Sequence, residues 1–309
     1  MKMSLNILMV LLLALEVSAV DASPPNEAAR KVDSLFIIAS SGEIKYRDMV
    51  QPAQDSLVAM GEAAVPRMVE KIDIKIAREA RTVREVLIKI GAVAVPSLLT
   101  RLSDEDTEVV SKTCYILGKI GDSSAIDGLV DVSGHSDWHI RSSAVAALGD
   151  IGNERGYEVV SRALADTVGL VRKSAAVAGG KLMNEAAVPH LVGMLADDFY
   201  GARMCASEAL VKFGKKSLSA IGDSLVFENA LQGNLGCTTL GLIGGDSAAV
   251  ILTAQLTSPS PMRRALAVEG ILNCNSSLAC GAVELLSSSE KDPLVLFYIE
   301  KVLEKYASK

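Results

Sequence analysis

Aromatic side chains and histidines are scarce in this sequence. Phe, Trp and Tyr make up 4% of the 309 residues, and there are three histidines. Histidine is the usual general base near neutral pH and a frequent metal ligand. His135 and His139 share a segment with Asp137, which we interpret as a solvated loop. His190 follows Pro189, and we interpret it as structural, so the sequence predicts no metal site and no cofactor.

Basic residues are not in excess either. The chain has 31 Lys and Arg against 37 Asp and Glu, which gives a net charge of −6. Contacts to phosphate groups dominate the affinity of proteins for nucleic acids, so we expect no nucleic-acid partner. Hydrophobic residues make up 50% of the chain. Because so few of them are aromatic, most are aliphatic, and such side chains suit helices that pack closely.

An apolar run near the N-terminus, residues 7–15, follows Lys2 and is too short to cross a bilayer of about 30 Å. Small residues at Ala19 and Ala22 then provide cleavage sites of the type that ends a secretory signal. We predict a signal peptide over residues 1–22, cleaved after Ala19 or Ala22. The protein is then secreted or periplasmic, without stable membrane insertion after cleavage. The alternative is an N-terminal helix of the mature fold.

One pattern recurs at a fixed spacing along most of the chain. Residues 116–121 (ILGKIG) and 147–152 (ALGDIG) share it, and related segments precede and follow them. We call the last residue of each such segment the stop position. Successive stop positions are 30 or 31 residues apart, at Gly61, Gly91, Gly121, Gly152, Met183, Gly214, Gly244 and Asn275. A constant period of this length indicates a repeat architecture.

The repeat contains two helices. Apolar residues one, four, five and eight positions before the stop have helical spacing. Glycine at the stop suits the left-handed conformation that ends many helices, and Pro66, Pro96 and Pro189 stand where a first helical turn tolerates proline. Small residues eight before the stop, such as Ala144 and Ala175, predict close approach of neighbouring backbones. We therefore predict an all-α fold, an α-solenoid of about nine stacked antiparallel helical pairs in one domain over residues 23–309.

One pattern is formed by Asp137, Ile140-Arg141 and residues 144–152 (AVAALGDIG), and Asp166 with Val171-Arg172 repeats part of it. In this pattern the repeats resemble HEAT repeats, specifically the short HEAT-like type of the phycobilisome bilin lyases. The resemblance extends over about residues 26–309 and implies a HEAT-like superhelix. Members of the family include scaffolds, adaptors, lyases and hydroxylases, so the resemblance implies the fold more narrowly than the function.

Two rows of basic residues follow the repeat. The first lies eleven positions before the stop and the second lies two before it. We consider two interpretations of the arginines: ion pairs with loop aspartates such as Asp137, Asp166 and Asp198, or an anion-binding stripe for an acidic partner. The lysines form either a solvated helix face or part of the same inner binding face. The rows are Arg141, Arg172, Arg203 and Arg264, and Lys119, Lys181 and Lys212.

The few aromatic residues include two at the same repeat position. Trp138, the only tryptophan, and Tyr200 are equivalent residues two repeats apart, and Phe199 precedes Tyr200. We predict that they lie in the loops between helices. Exposed Trp and Tyr are frequent hot spots of protein interfaces. The alternative is that these rings pack under neighbouring loops.

Candidate reactive residues have weak support. Residues 222–225 (GDSL) are similar to the nucleophile block of GDSL-type esterases, but no Asp-x-x-His follows, and the repeat register places Ser224 in a helix. Of the five cysteines, only Cys274 and Cys280 are close enough in the repeat register to form a disulfide. Their pairing stays open. We assign no catalytic residue.

These features favour a noncatalytic interaction scaffold outside the cytoplasm. We expect a monomer that binds a protein or peptide partner, acidic if the arginines form a binding stripe, through its concave face and the edge formed by the inter-helix loops. The resemblance implies an alternative of another class, a lyase or lyase subunit of the bilin-lyase type. The predicted export signal argues against this alternative.

Overall fold

The structure, a computed structural model, describes residues 27–225 and 229–307. The predicted signal peptide, residues 1–22, lies outside the described residues. All regular structure in the described part of the chain is helical.

The described residues form nine helical pairs, each with a first and a second helix. The first helices are α1 (Glu27–Ala39), α3 (Val65–Glu70), α5 (Val95–Thr100), α7 (Ile126–Val132), α9 (Tyr157–Ala163), α11 (Val188–Gly193), α13 (Leu218–Ser224), α15 (Gly245–Thr253) and α17 (Cys280–Ser287). The second helices are α2 (Val50–Ala59), α4 (Ala77–Ile90), α6 (Thr107–Ile120), α8 (Trp138–Ile151), α10 (Gly169–Leu182), α12 (Tyr200–Phe213), α14 (Ala230–Ile243), α16 (Pro261–Cys274) and α18 (Pro293–Ala307).

Short 3-10 segments extend or connect many of these helices. They are Ile44–Met49, Gly61–Ala63, Lys71–Asp73, Gly91–Ala94, Arg101–Ser103, Ser123–Ala125, Glu154–Gly156, Glu185–Ala187, Met194–Ala196, Gly214–Ser217 and Ala254–Thr257. The predicted fold class, an all-α solenoid of helical pairs, is confirmed, and so is the expected number of pairs.

The chain divides into two compact units, with the boundary between Ser97 and Leu98 inside α5. In the N-terminal unit, α1 packs on α2 and α2 packs on α4. In the C-terminal unit, each second helix packs on the next one, from α6 through α18. A single short helical pair cannot bury both apolar faces, so this stacking supplies the core.

Left-handed residues end several second helices, as the glycine pattern predicts. Gly121 and Gly152 have φ values of 76° and 72°, and their N–H groups donate to the carbonyls of Leu117 and Leu148. Met183 adopts the same conformation with φ 55°, although it has a side chain. The repeat geometry therefore imposes the turn even where glycine is missing.

Neighbouring second helices approach each other closely at the glycines three residues before the stop. A Cβ atom built on Gly149 would lie 2.5 Å from the Cβ of Ala178, and one built on Gly118 would lie 2.7 Å from the Cα of Ala147. The small residues eight before the stop, such as Ala144, are fully buried. The sequence predicts close packing eight before the stop, and the structure shows a close contact between second helices three before it.

One helical stretch of the described chain, Ala77–Ser103, is long and apolar enough to span a membrane by length and composition alone. In the structure it is not one continuous α-helix. Gly91, with φ 77°, ends α4, and α5 begins at Val95 after a 3-10 segment.

Candidate binding surface

Trp138 and Tyr200 lie at the N-terminal ends of two second helices of the C-terminal unit. Each is the first residue of its helix, α8 or α12, and not a residue of the preceding loop as we predicted. For α8 the reason is the position of the helix cap. The side chain of Asp137 accepts a hydrogen bond from the His139 N–H at 2.8 Å, so the helix starts directly after Asp137.

The two aromatic residues differ in exposure. Trp138 is half-buried and stacks on the ring of His139, with ring centroids 3.5 Å apart. Tyr200 is 65% exposed, and the Arg203 guanidinium lies 5.4 Å from its ring centroid. Both rings therefore stand at the N-terminal edge of the second helices, where a partner could reach them.

Phe199 joins this edge from the loop before α12. Its ring lies over two glycines, and a Cβ atom on Gly169 would lie 2.6 Å from the Cβ and Cγ atoms of Phe199. A Cβ atom on Gly201 would lie 2.9 Å from the Phe199 ring. The half-buried Phe199 side chain thus fills the space that these glycines leave between α10 and α12.

The arginine row is engaged in ion pairs between repeats. Arg141 on α8 donates to the carboxylate of Asp166, which lies in the loop before α10. Arg172 pairs in the same way with Asp197 at 2.6 Å and 2.7 Å, and Arg264 with Glu290 at 2.6 Å and 2.9 Å. These three guanidinium side chains are 14–16% exposed.

Each of these arginines also binds the loop before its own helix. The Nη1 group of Arg141 donates to the carbonyls of His135 and Ser136 at 3.0 Å and 2.9 Å. Arg172 and Arg264 make the same kind of bonds to carbonyls in their own loops. Each arginine therefore ties its own loop to the next loop, and this geometry supports the structural interpretation of the row.

Arg203 is bound differently. Its Nη1 group donates to the carbonyls of Asp197 and Asp198 at 2.6 Å and 3.3 Å. Within residues 27–225 and 229–307, no carboxylate pairs with it. The acidic residue at the equivalent spacing, Glu228, lies outside the described residues.

The ion pairs shift the pKa values of the acids. The hydrogen bond from Arg264 holds the pKa of Glu290 at about 2. The hydrogen bond from Arg141 likewise lowers the pKa of Asp166, against the opposing effect of burial. Both acids are therefore ionised at neutral pH, and Arg141 and Arg264 offer little free charge to a ligand.

The lysine row is interrupted by an acid. Asp150 occupies the same position on α8 as Lys119 on α6 and Lys181 on α10, and both ammonium groups bind its carboxylate, Lys119 at 2.8 Å. Burial raises the pKa of Asp150, but the hydrogen bonds from the two lysines outweigh it, and the pKa is lowered. Lys212 is exposed and makes no ion pair with any described residue.

The candidate reactive residues are held in structural positions. Ser224 ends α13, is 5% exposed, and donates its hydroxyl to the carbonyl of Ile221 at 2.7 Å. Cys274 and Cys280 are both free thiols. In the described part of the chain, no group of three or more His, Cys, Asp or Glu side chains is arranged to hold a metal ion.

One set of exposed residues at the same edge was not predicted from the sequence. The second residue of four second helices is an exposed aliphatic side chain: Leu170, Leu231, Met262 and Leu294. The sequence does show an apolar residue that recurs at one repeat position. It does not show that this residue is exposed, because an exposed aliphatic residue and a buried one look the same in the sequence.

Comparison with known proteins agrees with the repeat architecture. Residues 95–179 and 137–211 match the family model for HEAT repeats. The phycocyanobilin lyase subunit beta of Nostoc sp. (strain PCC 7120 / SAG 25.82 / UTEX 2576) is 28% identical over 105 residues, 33% of this chain and 52% of the relative. The chain thus spans about half the length of this curated relative.

Two solved structures align with parts of this chain. The X-ray structure of YibA from E. coli aligns with 85% of this chain and 97% of its own, at 15% identity and a TM-score of 0.50. The complex of CpcE and CpcF of phycocyanin lyase from Nostoc sp. PCC7120 aligns with 48% of this chain and 98% of its own, at 23% identity and a TM-score of 0.45.

Proposed function

We propose that this protein, whose residues 95–211 match the family model for HEAT repeats, is a noncatalytic scaffold that binds a protein or peptide partner. The binding surface is the face of the second helices and their N-terminal edge. The observation that carries the proposal is the exposure of Tyr200 at the first position of α12, in register with Trp138 on α8.

The ion pairs beneath this edge support the same function. Arg141 and Arg172 fix the loops that precede α8 and α10, and these loops flank the aromatic side chains. A rigid edge with exposed aromatic residues loses little conformational entropy on binding. The geometry thus suits recognition of a partner more than chemistry on a substrate.

The second candidate function is that of a lyase subunit. It is favoured by the 28% identity to the phycocyanobilin lyase subunit beta over 105 residues. In that case the chain would bind a second subunit or a bilin-bearing protein. Incubation of the purified chain with free bilin and an acceptor protein tests this, and covalent transfer of the pigment would favour the lyase function.

The scaffold function is tested by placing a photo-crosslinking amino acid at Tyr200 in the native host. The control places it at His190, which is exposed on the first helix α11. We expect a discrete crosslinked partner from position 200 alone. The double variant Trp138→Ala with Tyr200→Ala should lose that partner while keeping its helical circular dichroism spectrum. Equal crosslinking from both positions would rule out this edge.

We also propose that the chain acts outside the cytoplasm as a monomer, with residues 23–309 as the mature solenoid. The apolar run in residues 7–15 and the small residues Ala19 and Ala22 support export. Mass spectrometry of the protein from periplasm or medium should find an N-terminus at Val20 or Ser23. An intact Met1 on all of the protein would contradict this proposal.

A further inference from the structure

An unusual row of exposed apolar side chains runs along the N-terminal edge of the second helices in the C-terminal unit. We call the following residues the apolar row: Leu170, Phe199, Tyr200, Leu231, Met262 and Leu294. The four aliphatic members are each the second residue of their helices. On α12 the second residue is Gly201, the Phe199 ring lies beside it, and Tyr200 precedes it as the first residue of the helix. Apart from the half-buried Phe199, the members are between 38% and 65% exposed.

The helical core does not require these residues. The third residues of α10 and α12, Val171 and Ala202, are fully buried and supply the core contact. The second residue is Glu108 on α6 and His139 on α8, so the same position accepts polar side chains. Exposed apolar residues that line up over five consecutive repeats indicate an interaction surface.

Two cations beside the apolar row, Lys173 and Arg263, make no ion pair with an acid among the described residues, whereas the acid at the equivalent spacing to Arg203, Glu228, lies outside them. Lys173 on α10 is exposed, and its Cδ lies close to Gly201. Arg203 and Arg263 donate only to backbone carbonyls, those of Asp197, Asp198 and Asn229. The Nε atom of Arg263 is buried without a hydrogen-bond partner. This charge pattern complements carboxylates on a ligand.

The spacing of the row matches an extended chain. Packed neighbouring helices lie about 8–10 Å apart, so successive members of the row recur at about that distance. An extended or polyproline II chain advances about 3.1–3.4 Å per residue, and three residues cover about 9–10 Å. If every third residue of such a ligand is apolar, each of these residues contacts the apolar row at one successive repeat.

We propose that the apolar row binds an extended acidic peptide segment that carries an apolar side chain at every third residue. This inference rests on the proposed scaffold function and names the chemistry of the partner. The apolar side chains of the peptide contact Leu170, Tyr200, Leu231 and Met262, and the acidic residues between them face Lys173 and Arg263.

The probe is a fluorescein-labelled peptide of five Leu-Pro-Glu triplets, in which proline disfavours helix and favours the extended form. Two control peptides are a permuted one of identical composition with the leucines grouped together, and one of Leu-Pro-Lys triplets. Fluorescence anisotropy with the full-length chain should show binding of the Leu-Pro-Glu peptide that weakens with salt. The permuted and lysine peptides should bind at least roughly tenfold more weakly.

Variants locate the site. Leu231→Ser and Met262→Ser should each weaken binding of the Leu-Pro-Glu peptide by about tenfold. Lys173→Glu should weaken it and reduce its dependence on salt. Val250→Ser is the matched control, because Val250 is 53% exposed on the first helix α15. Thermal unfolding verifies that each variant is folded.

Two results would overturn this inference: equal binding of the grouped-leucine peptide, or an equal loss of binding in Val250→Ser. Failure of the probe together with a partner crosslinked at Tyr200 would reject the extended acidic peptide and keep the scaffold. If the Tyr200 crosslink is also absent, both proposals fail.

Discussion

The Arg141 guanidinium donates two parallel hydrogen bonds to the Asp166 carboxylate, from Nε at 2.8 Å and from Nη2 at 2.9 Å. The two residues belong to consecutive helical pairs, and both side chains are largely buried. Two-pronged pairs of this kind are stronger and more directional than exposed single contacts. The pair therefore couples neighbouring repeats in addition to the apolar contacts between their helices.

The first prediction concerns this pair. Asp166→Asn removes the charge and leaves a buried guanidinium without its counterion, so we expect a loss of about 1.5–3 kcal/mol in the free energy of unfolding. Urea denaturation followed by circular dichroism measures it. Asp127→Asn is the control, because the Asp127–Arg155 pair is exposed on both sides and should change stability by less than about 1 kcal/mol. Equal losses in both variants would contradict a structural role of the arginine row.

The second prediction concerns acid stability. The Arg264 hydrogen bond lowers the pKa of Glu290 from its ordinary value of 4.5 to about 2 in the folded protein. Because the folded pKa is depressed, the pair stabilises the fold fully above pH about 4.5 and loses this effect as the pH falls toward about 2. Wild type should therefore exceed Glu290→Gln in urea midpoint at neutral pH, with a difference that shrinks below pH 4.5. A difference that stays constant down to pH about 2 would exclude this linkage.

The sequence predicts the fold well because one spacing rule repeats. Stop positions such as Gly121 and Gly152 mark helix ends, and their constant separation requires a stack of equal units. The predicted placement of Trp138 and Tyr200 in loops was wrong by one residue, because each is the first residue of a helix. Helix starts depend on cap hydrogen bonds, such as the one that Asp137 accepts, and periodicity does not locate them.

Contacts between repeats were harder to predict than the repeats themselves. The partner of Arg172 is chiefly Asp197, with a further contact to Asp198, and the choice depends on the shape of the loop. The tight contact of Gly149 with Ala178 depends on the register between two helices, which the period alone does not fix. The sequence alone does not distinguish the exposed Leu231 from a core leucine, because its exposure depends on how the neighbouring helices pack.

The third prediction concerns the cysteines. Burial raises the pKa of Cys114 and of Cys237 to about 12, so their thiolates are scarce at pH 8. Iodoacetamide should therefore modify the partly exposed Cys205 and Cys280 first, and the three buried thiols, Cys114, Cys237 and Cys274, only slowly. After unfolding in urea without reductant, all 5 cysteines should react. A protein that takes up two alkyl groups fewer under these conditions would show a disulfide that contradicts the free thiols of the structure.

The fourth prediction tests the packing between second helices. Gly149→Ala places a methyl group 2.5 Å from the Cβ of Ala178, too close for any packed interface. The overpacking costs about 1–3 kcal/mol and exceeds the gain of up to about 1 kcal/mol in helix propensity, so the urea midpoint should fall. Gly193→Ala is the control, because Gly193 is exposed at the end of α11 and the new Cβ would have no atom of another helix within 4 Å. It should leave the midpoint unchanged or raise it, and a fall there as large as in Gly149→Ala would show that glycine flexibility, not close packing, sets the effect.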